Sequence, residues 1–372
     1  MTGQITRDPA YAAVERDDFP AMMDVERYRG RSDYFDEIIS RTHDHFWDPL
    51  DPAYIDYTIP FDLENQTLLD RSQFPELQSA VCDRLDEGQQ IGLANEIIRW
   101  NMSNILHGEQ GALSLSASLC HILHDQGAQE YAANQAREEA RHVTAFQRYL
   151  EARWDGRPYP VGDVLGTLLT ELVLAPEVYK KLVGMQMLVE GLAMGSFASL
   201  HARTNDPLMR RLTQLVMTDE AFHHRFGKIW AANTIPHLER AERDVIEDWA
   251  AECFETLLFN LTNVRQKRLV YERFGLDWEW VRSAVREVWN DDERRKGLTD
   301  NTNIFRVLTK TLVKAGIITD RTRAIYANWI DMTGLEAEGD DMVGDAIAAD
   351  GIEYLREINA RRRPILRQQA VA

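Results

Sequence analysis

Cysteine is scarce in this chain. Cys82, Cys120 and Cys253 are the three in 372 residues, an odd number, widely separated and without a CxxC pair. That usage leaves no disulfide framework and fits free buried thiols in a reducing, cytoplasmic setting. Long apolar runs are missing as well. No stretch of roughly eighteen apolar residues occurs, so no membrane span is expected. The segment Met1–Gly30 is polar and charged without an apolar core, so no signal peptide is expected. Positive charge is in deficit, with 42 Lys and Arg against 60 Asp and Glu and a net charge of −18. An acidic surface repels phosphate backbones, so nucleic acid is not an expected partner. The basic tail Arg361-Arg362-Arg363 with Arg367 is the exception and reads as a solvated terminus. No alternating strand pattern is present. No glycine-rich fingerprint such as GxGxxG marks a flavin or nicotinamide site.

What remains is helical periodicity. Apolar content of 44% at this length is enough for a sizeable core. Residues 1–85 read as an irregular N-terminal wrap rich in Pro and aromatics, with a short helix near Tyr34–Asp44. From about Asp86 the character changes. Over 86–125, Ile98, Met102, Ile105, Leu106, Leu113, Ser116, Cys120 and Leu123 form a stripe at helical spacing, and Glu109 sits inside it. Gly127 is expected to stop that helix. A second helix over 128–154 ends at Asp155-Gly156-Arg157-Pro158. A third helical region over 162–204 is broken or kinked by Pro176. Asn205-Asp206-Pro207 supplies a cap and a first-turn Pro for a helix reaching about Asn233, stopped by Ile235-Pro236. More helices follow over 237–332, with turns near Gly275, Gly297 and Gly316. An acidic loop over 336–350 and a short helix Ile352–Arg361 complete the chain. The expectation is an all-α single domain, with a core over 86–235 and accessory helices and a basic tail over 237–372.

Two short motifs carry the chemistry. Glu139-Ala140-Arg141-His142 and Glu220-Ala221-Phe222-His223 each set a His three residues after a Glu. On a helix that spacing puts carboxylate and imidazole on one face, one turn apart. Glu109 and Glu190 each lie thirty residues upstream of a motif Glu. One ExxH is ordinarily a solvated Glu and an unrelated His. Two of them, each with an equidistant Glu on an apolar stripe, form two halves of one metal site. An unpaired anion in such a stripe would cost several kcal/mol to bury, and metal coordination removes that cost. The expected ligands are Glu109, Glu139 and His142 from one half and Glu190, Glu220 and His223 from the other, with Glu139 and Glu220 bridging. Iron suits such an oxygen and nitrogen donor set, and manganese in one position overlaps with it.

Metal-bound imidazole commonly donates its second N–H to a carboxylate. The adjacent acids therefore suggest a cross-pairing, Glu138 with His223 and Asp219 with His142, with Arg141 anchoring one of them. His224 points about 100° away from His223 and reads as a supporting or surface residue. His107, His121, His124 and His201 read as ordinary helical histidines, and His43 and His45 lie near no motif. Leu113, Phe146, Met187, Met194, Phe197 and Val216, close to the ligands on the same helices, are candidates for a substrate pocket or for plain core.

The sequences Glu138-Glu139-Ala140-Arg141-His142 and Thr218-Asp219-Glu220-Ala221-Phe222-His223 resemble those of the ferritin-like superfamily of non-haem di-iron oxidases and oxygenases, over roughly residues 86–235. That superfamily includes acyl-carrier-protein desaturases, multicomponent monooxygenases, the ribonucleotide reductase small subunit and arylamine N-oxygenases. The resemblance implies a ferritin-like four-helix bundle with added N- and C-terminal helices, two irons, and O2 as co-substrate. It does not choose a branch. Arylamine N-oxygenases carry an extra His where this chain has Val216. Multicomponent monooxygenases carry a Thr where it has Met194, and desaturases a Thr where it has Ala193. The radical Tyr of the reductase is replaced by Phe146. The stretch Trp47–Tyr57 is faintly similar to the multicomponent hydroxylase subunits.

The expected function is hydroxylation, N-oxygenation or desaturation of a small to medium, partly apolar organic molecule, with a monooxygenase as the leading case. A separate ferredoxin or reductase would supply electrons, and a homodimer is the expected assembly. The alternative is a ferritin-like iron-handling protein without an organic substrate. Storage chains are usually much shorter, so the extra N- and C-terminal stretches favour substrate shaping or dimerisation.

Overall fold

The computed structural model describes residues 11–369 apart from 17, 44, 297, 299–303, 340, 341 and 343. The expected turn at Gly297, residues 1–10 and the side chains of Arg363 and Arg367 lie outside the described residues. The architecture is all-α. The principal helices are α1 (Asp36–Thr42), α2 (Glu87–Ile122), α3 (Gln126–Trp154), α4 (Asp163–Leu174), α5 (Val178–Arg203), α6 (Pro207–Thr234), α7 (Arg240–Thr262), α8 (Trp278–Val288), α9 (Ile304–Lys314) and α10 (Asp345–Gln369). Among the described residues there is no strand, only two isolated bridges, Ala13 with Leu123 and Leu69 with Thr204.

Local chemistry sets the helix ends. Asp86 and Gln89 form a capping box at the start of α2. The Asp125 carboxylate accepts from Ala128 N at 2.8 Å and starts α3. Gly127 therefore opens α3 instead of closing α2, because Asp125 outcompetes it as a boundary signal. Asp155 (φ 53°) and Gly156 (φ 72°) turn the chain out of α3 in the left-handed region. Asp206 caps α6 ahead of Pro207 at 2.9 Å from Leu208 N. The region expected to be one kinked helix over 162–204 is two, α4 and α5, separated at 175–177 around Pro176. Within α5, Leu182–Val189 is π-helical and runs directly into Glu190. Such widened turns cluster at functional sites. The acidic loop is shorter than expected, because α10 begins at Asp345 and continues past Arg361.

Two helical hairpins form the centre. Helix α2 packs along α3, α5 along α6, and α3 along α6. The thirty-residue spacing now has a geometric cause. Glu109 and Glu139 lie fifteen residues either side of the α2–α3 turn, and Glu190 and Glu220 fifteen either side of the α5–α6 turn. At 1.5 Å per residue each pair sits at one level, about 22 Å from its turn. The hairpins are head to tail. Tyr149 and Arg153 near the end of α3 bind Asp206 at the start of α6, with the Arg153 guanidinium donating two 2.8 Å bonds. Tyr131 near the start of α3 packs on Phe226 late in α6, ring centroids 4.9 Å apart.

The ligand level separates two apolar cores. One contains Leu115, Leu119, Tyr131, Met187 and Phe226. The other contains Met102, Phe146, Phe197, Leu212 and Val216. Helices α4 and α7 cover the first, and α10 lies along α6. Contrary to the reading of the apolar runs, α5 is long and apolar enough by length and composition to cross a membrane. However, 72% of its apolar window is buried inside the molecule, as in a core helix. All three cysteines are free, but only Cys253 is fully buried.

Candidate metal centre

Each of the four long helices contributes one glutamate, and α3 and α6 add one histidine each. Glu109, Glu139, Glu190 and Glu220 are at most 6% exposed, and His142 and His223 are fully buried. Ligand atoms of Glu139, His142, Glu220 and His223 all lie within 4.8 Å of one another. His142 Nδ1 faces Glu220 at 3.1 Å, Glu109 at 3.2 Å and Glu139 at 3.3 Å. His223 Nδ1 faces Glu139 at 3.0 Å and Glu220 at 3.4 Å. Glu139 and Glu220 thus lie between the two imidazoles and touch both. The Gln135 amide donates at 3.1 Å to Glu139 Oε1 and to Glu190 Oε1, holding Glu190 to the group.

The outer nitrogens of the rings face a second pair of acids. His142 Nε2 lies 2.9 Å from Asp219 Oδ2, and His223 Nε2 lies 3.0 Å from Glu138 Oε2. Arg141 donates to Asp219 at 2.6 Å and stands 3.9 Å from Glu138. His45, Glu138 and Asp219 also cluster within 4.8 Å, but the Arg141 guanidinium already supplies the cation there.

The donor set fits divalent metal. Both nitrogens of each imidazole face carboxylate oxygens, and a neutral imidazole carries only one N–H. If Nε2–H is donated outward from a neutral ring, Nδ1 turns a lone pair toward a group of anions, so the inner side calls for a positive charge, a proton on the metal-free ring or a metal ion in its place. His223 Nδ1, Glu139 Oε2 and both oxygens of Glu220 have no aligned hydrogen bond. Groups so buried and unsatisfied cost about 1–3 kcal/mol each, more when charged. Six carboxylates (Glu109, Glu138, Glu139, Glu190, Asp219, Glu220) are buried here, and Arg141 is the neighbouring guanidinium. Two divalent ions would offset most of that charge.

The electrostatics carry the same strain. Burial pushes the Glu109 and Glu190 carboxyls well above the usual carboxylate range, and neighbouring Glu220 and Glu139 add to it. Burial acts on Glu139, Glu220 and Asp219 too, but there the cations win. His223 and His142 hold the two glutamates low, and Arg141 with His142 holds Asp219 far below its ordinary value. Burial alone would depress both imidazoles; the surrounding carboxylates outweigh it and raise both well above the ordinary histidine range.

Two contributors come from the wrap. Trp47 is fully buried, donates from Nε1 to Asp219 Oδ2 at 2.9 Å, and takes the Arg141 guanidinium over its ring at 4.8 Å. His45, read as near no motif, is 1% exposed, 3.4 Å from Asp219 and stacked on Phe222 at 4.9 Å. Their separation from the motifs by some ninety and 170 residues left no local signal. His224 is not at the surface. It is buried, 2.6 Å from Thr311 Oγ1 of α9, and burial lowers its pKa to about 3. The six pocket candidates fall on both sides of the glutamate level. Met187 joins the first core, and Phe146, Phe197 and Val216 the second, with Phe146 stacked on Phe197 at 5.6 Å. Met194 is buried beside the Gly344 loop, and Leu113 is half-buried.

No known family, curated protein or solved structure matches the chain. The class therefore rests on the site: an all-helical protein with a buried carboxylate–imidazole cluster, built from two ExxH motifs, that is compatible with a di-iron centre.

Proposed function

We propose that this chain is a ferritin-like, non-haem di-iron oxidoreductase that uses O2 to hydroxylate, N-oxygenate or desaturate a small to medium, partly apolar molecule, with monooxygenation the leading case. The observation that carries the reading is the facing of the two imidazoles. Each turns Nδ1 toward the shared Glu139 and Glu220 and Nε2 toward its own outer acid. Glu109, Glu139, His142, Glu190, Glu220 and His223 would hold the metals, Fe/Fe or Fe/Mn. Bound iron would supply O2 activation, with electrons from a separate ferredoxin or reductase. The chain's own part is to keep the cluster dry, to fix each ring through Asp219 or Glu138, and to hold Asp219 anionic through Arg141 and Trp47. A cytoplasmic homodimer is part of the proposal.

The test is O2 uptake by anaerobically iron-loaded protein. Uptake in proportion to bound iron, reduced in a Glu109→Ala variant, supports an oxygen-activating centre. Bound iron that stays ferrous in air contradicts it. A cage of a dozen or more chains by size-exclusion mass would favour iron storage instead.

A further inference from the structure

The two ends of the centre differ in a way the ligands do not require. Toward one end the inner faces carry Phe146, Phe197, Val216 and Met194, all apolar and at most 1% exposed. Toward the other, set among the first apolar core, lie Ser116 of α2, Tyr131 and Gln135 of α3, and Gln186 of α5, all fully buried. Ser116 Oγ, Tyr131 OH, Gln135 Oε1 and both polar atoms of the Gln186 amide have no hydrogen-bond partner.

These residues lie on one side of the glutamate level. Ser116 follows Glu109 by seven residues, and Tyr131 precedes Glu139 by eight across the α2–α3 turn. Both lie about 11 Å from the ligand level, on the turn side. Gln135 and Gln186 each precede a ligand Glu by four, about one helical turn away. Gln186 is tied to the same end through α6. A methyl group on Gly227 would come 2.9 Å from Gln186 Cβ, and the adjacent Phe226 packs on Tyr131. Lys181 of α5, donating to Ser118 Oγ of α2 at 2.9 Å, fixes the same antiparallel level. Buried polar groups in native proteins are almost always satisfied, so such a set on one side of a centre calls for a polar partner, either ordered water or a polar group of a ligand. The set is neutral, with donors and acceptors and no added charge, so an ionic group would go uncompensated there.

Resting on the di-iron reading, we propose that this end is a substrate subsite for an uncharged group carrying both donor and acceptor, a carboxamide or hydroxyl, held chiefly by the Gln186 amide and Tyr131. The apolar remainder of the substrate then lies nearer the metals.

The test titrates the full-length iron-loaded chain with benzamide and, separately, toluene, followed by ligand-observed NMR. Benzamide is expected to bind about tenfold or more tighter than toluene, as one or two hydrogen bonds require. Its signals should broaden on ferrous iron relative to zinc-loaded protein. Gln186→Leu, which keeps the bulk, and Tyr131→Phe, which removes only a hydroxyl, should each erase most of that preference while iron per chain stays at the wild-type level. Equal affinity for the two probes, with water alone at the polar end, overturns the proposal, as does a preference that survives both substitutions. Either result with full iron content leaves the di-iron reading standing. A wild-type chain that takes up no iron overturns that reading, and the benzamide preference of the metal-free chain then decides the subsite separately.

Discussion

At the scale of single residues, the centre is a problem of uncompensated charge. Glu138 and Asp219 orient the two imidazoles, so their loss should be felt at the metals they do not touch. Glu138→Ala and Asp219→Ala are each expected to weaken iron binding by about 10–100-fold; unchanged affinity in both, by iron titration, would sink the assignment. The metal-free chain should also show a defined pH response. Glu109 and Glu190 have folded pKa values raised above 4.5, and His142 and His223 above 6.5. A group whose folded pKa is raised stabilises below its unfolded value and loses that contribution as pH climbs through the folded one. Thermal stability in chelator is therefore expected to fall as pH rises above about 6.5, where the histidines begin to lose protons in the unfolded chain. Iron loading should flatten the slope, because metal takes the place of the protons. A metal-free chain that gains stability over that range would contradict the electrostatic account. The ligand candidates and the two outer acids were legible because ExxH spacing and chain neighbours are local properties. Trp47 and His45 were not, because only the tertiary path of the wrap brings them to Asp219.

At the scale of elements, the hairpins hold the site by close approach. Gly227 of α6 has no room for a side chain, since a Cβ would meet Gln186 Cβ at 2.9 Å, Met187 Cγ at 3.0 Å and backbone at 3.1 Å. Gly227→Ala should cost about 1–3 kcal/mol by urea denaturation, an overpacking penalty that backbone neighbours cannot relieve cheaply. Stability equal to wild type would mean that α5 and α6 are not packed as described. The π-helical turns at Leu182–Val189 had no sequence signature, because they depend on how α5 packs. The α2–α3 boundary is ambiguous in sequence for a related reason: Gly127 has the character of a stop, while the Asp125 side chain determines where α3 begins. By contrast, the thirty-residue recurrence was visible in the chain and becomes, in three dimensions, the signature of two symmetric hairpins.

At the scale of the whole molecule, the N-terminal wrap is clamped over the centre by the C-terminal helix. Asn359 of α10 donates to Phe46 O at 2.8 Å and accepts from Tyr54 OH at 2.6 Å, and Arg362 pairs with Asp51. Helix α10 thus meets the wrap on both sides of Trp47, which reaches Asp219. Asn359→Ala should loosen that clamp by about 1 kcal/mol and speed the loss of iron to a chelator; an unchanged rate would separate the wrap from the metal. The all-α class and the irregular wrap could be read from periodicity and from Pro and aromatic content. The length of α10 could not, because its first turns are acidic and glycine-containing and are held by packing on α6. The central claim is tested most directly by counting bound metal per chain after anaerobic loading with ferrous iron and desalting, beside a Glu139→Ala, Glu220→Ala variant. The account predicts about two irons per wild-type chain and their loss in the variant. Little or no iron in the wild type would contradict it.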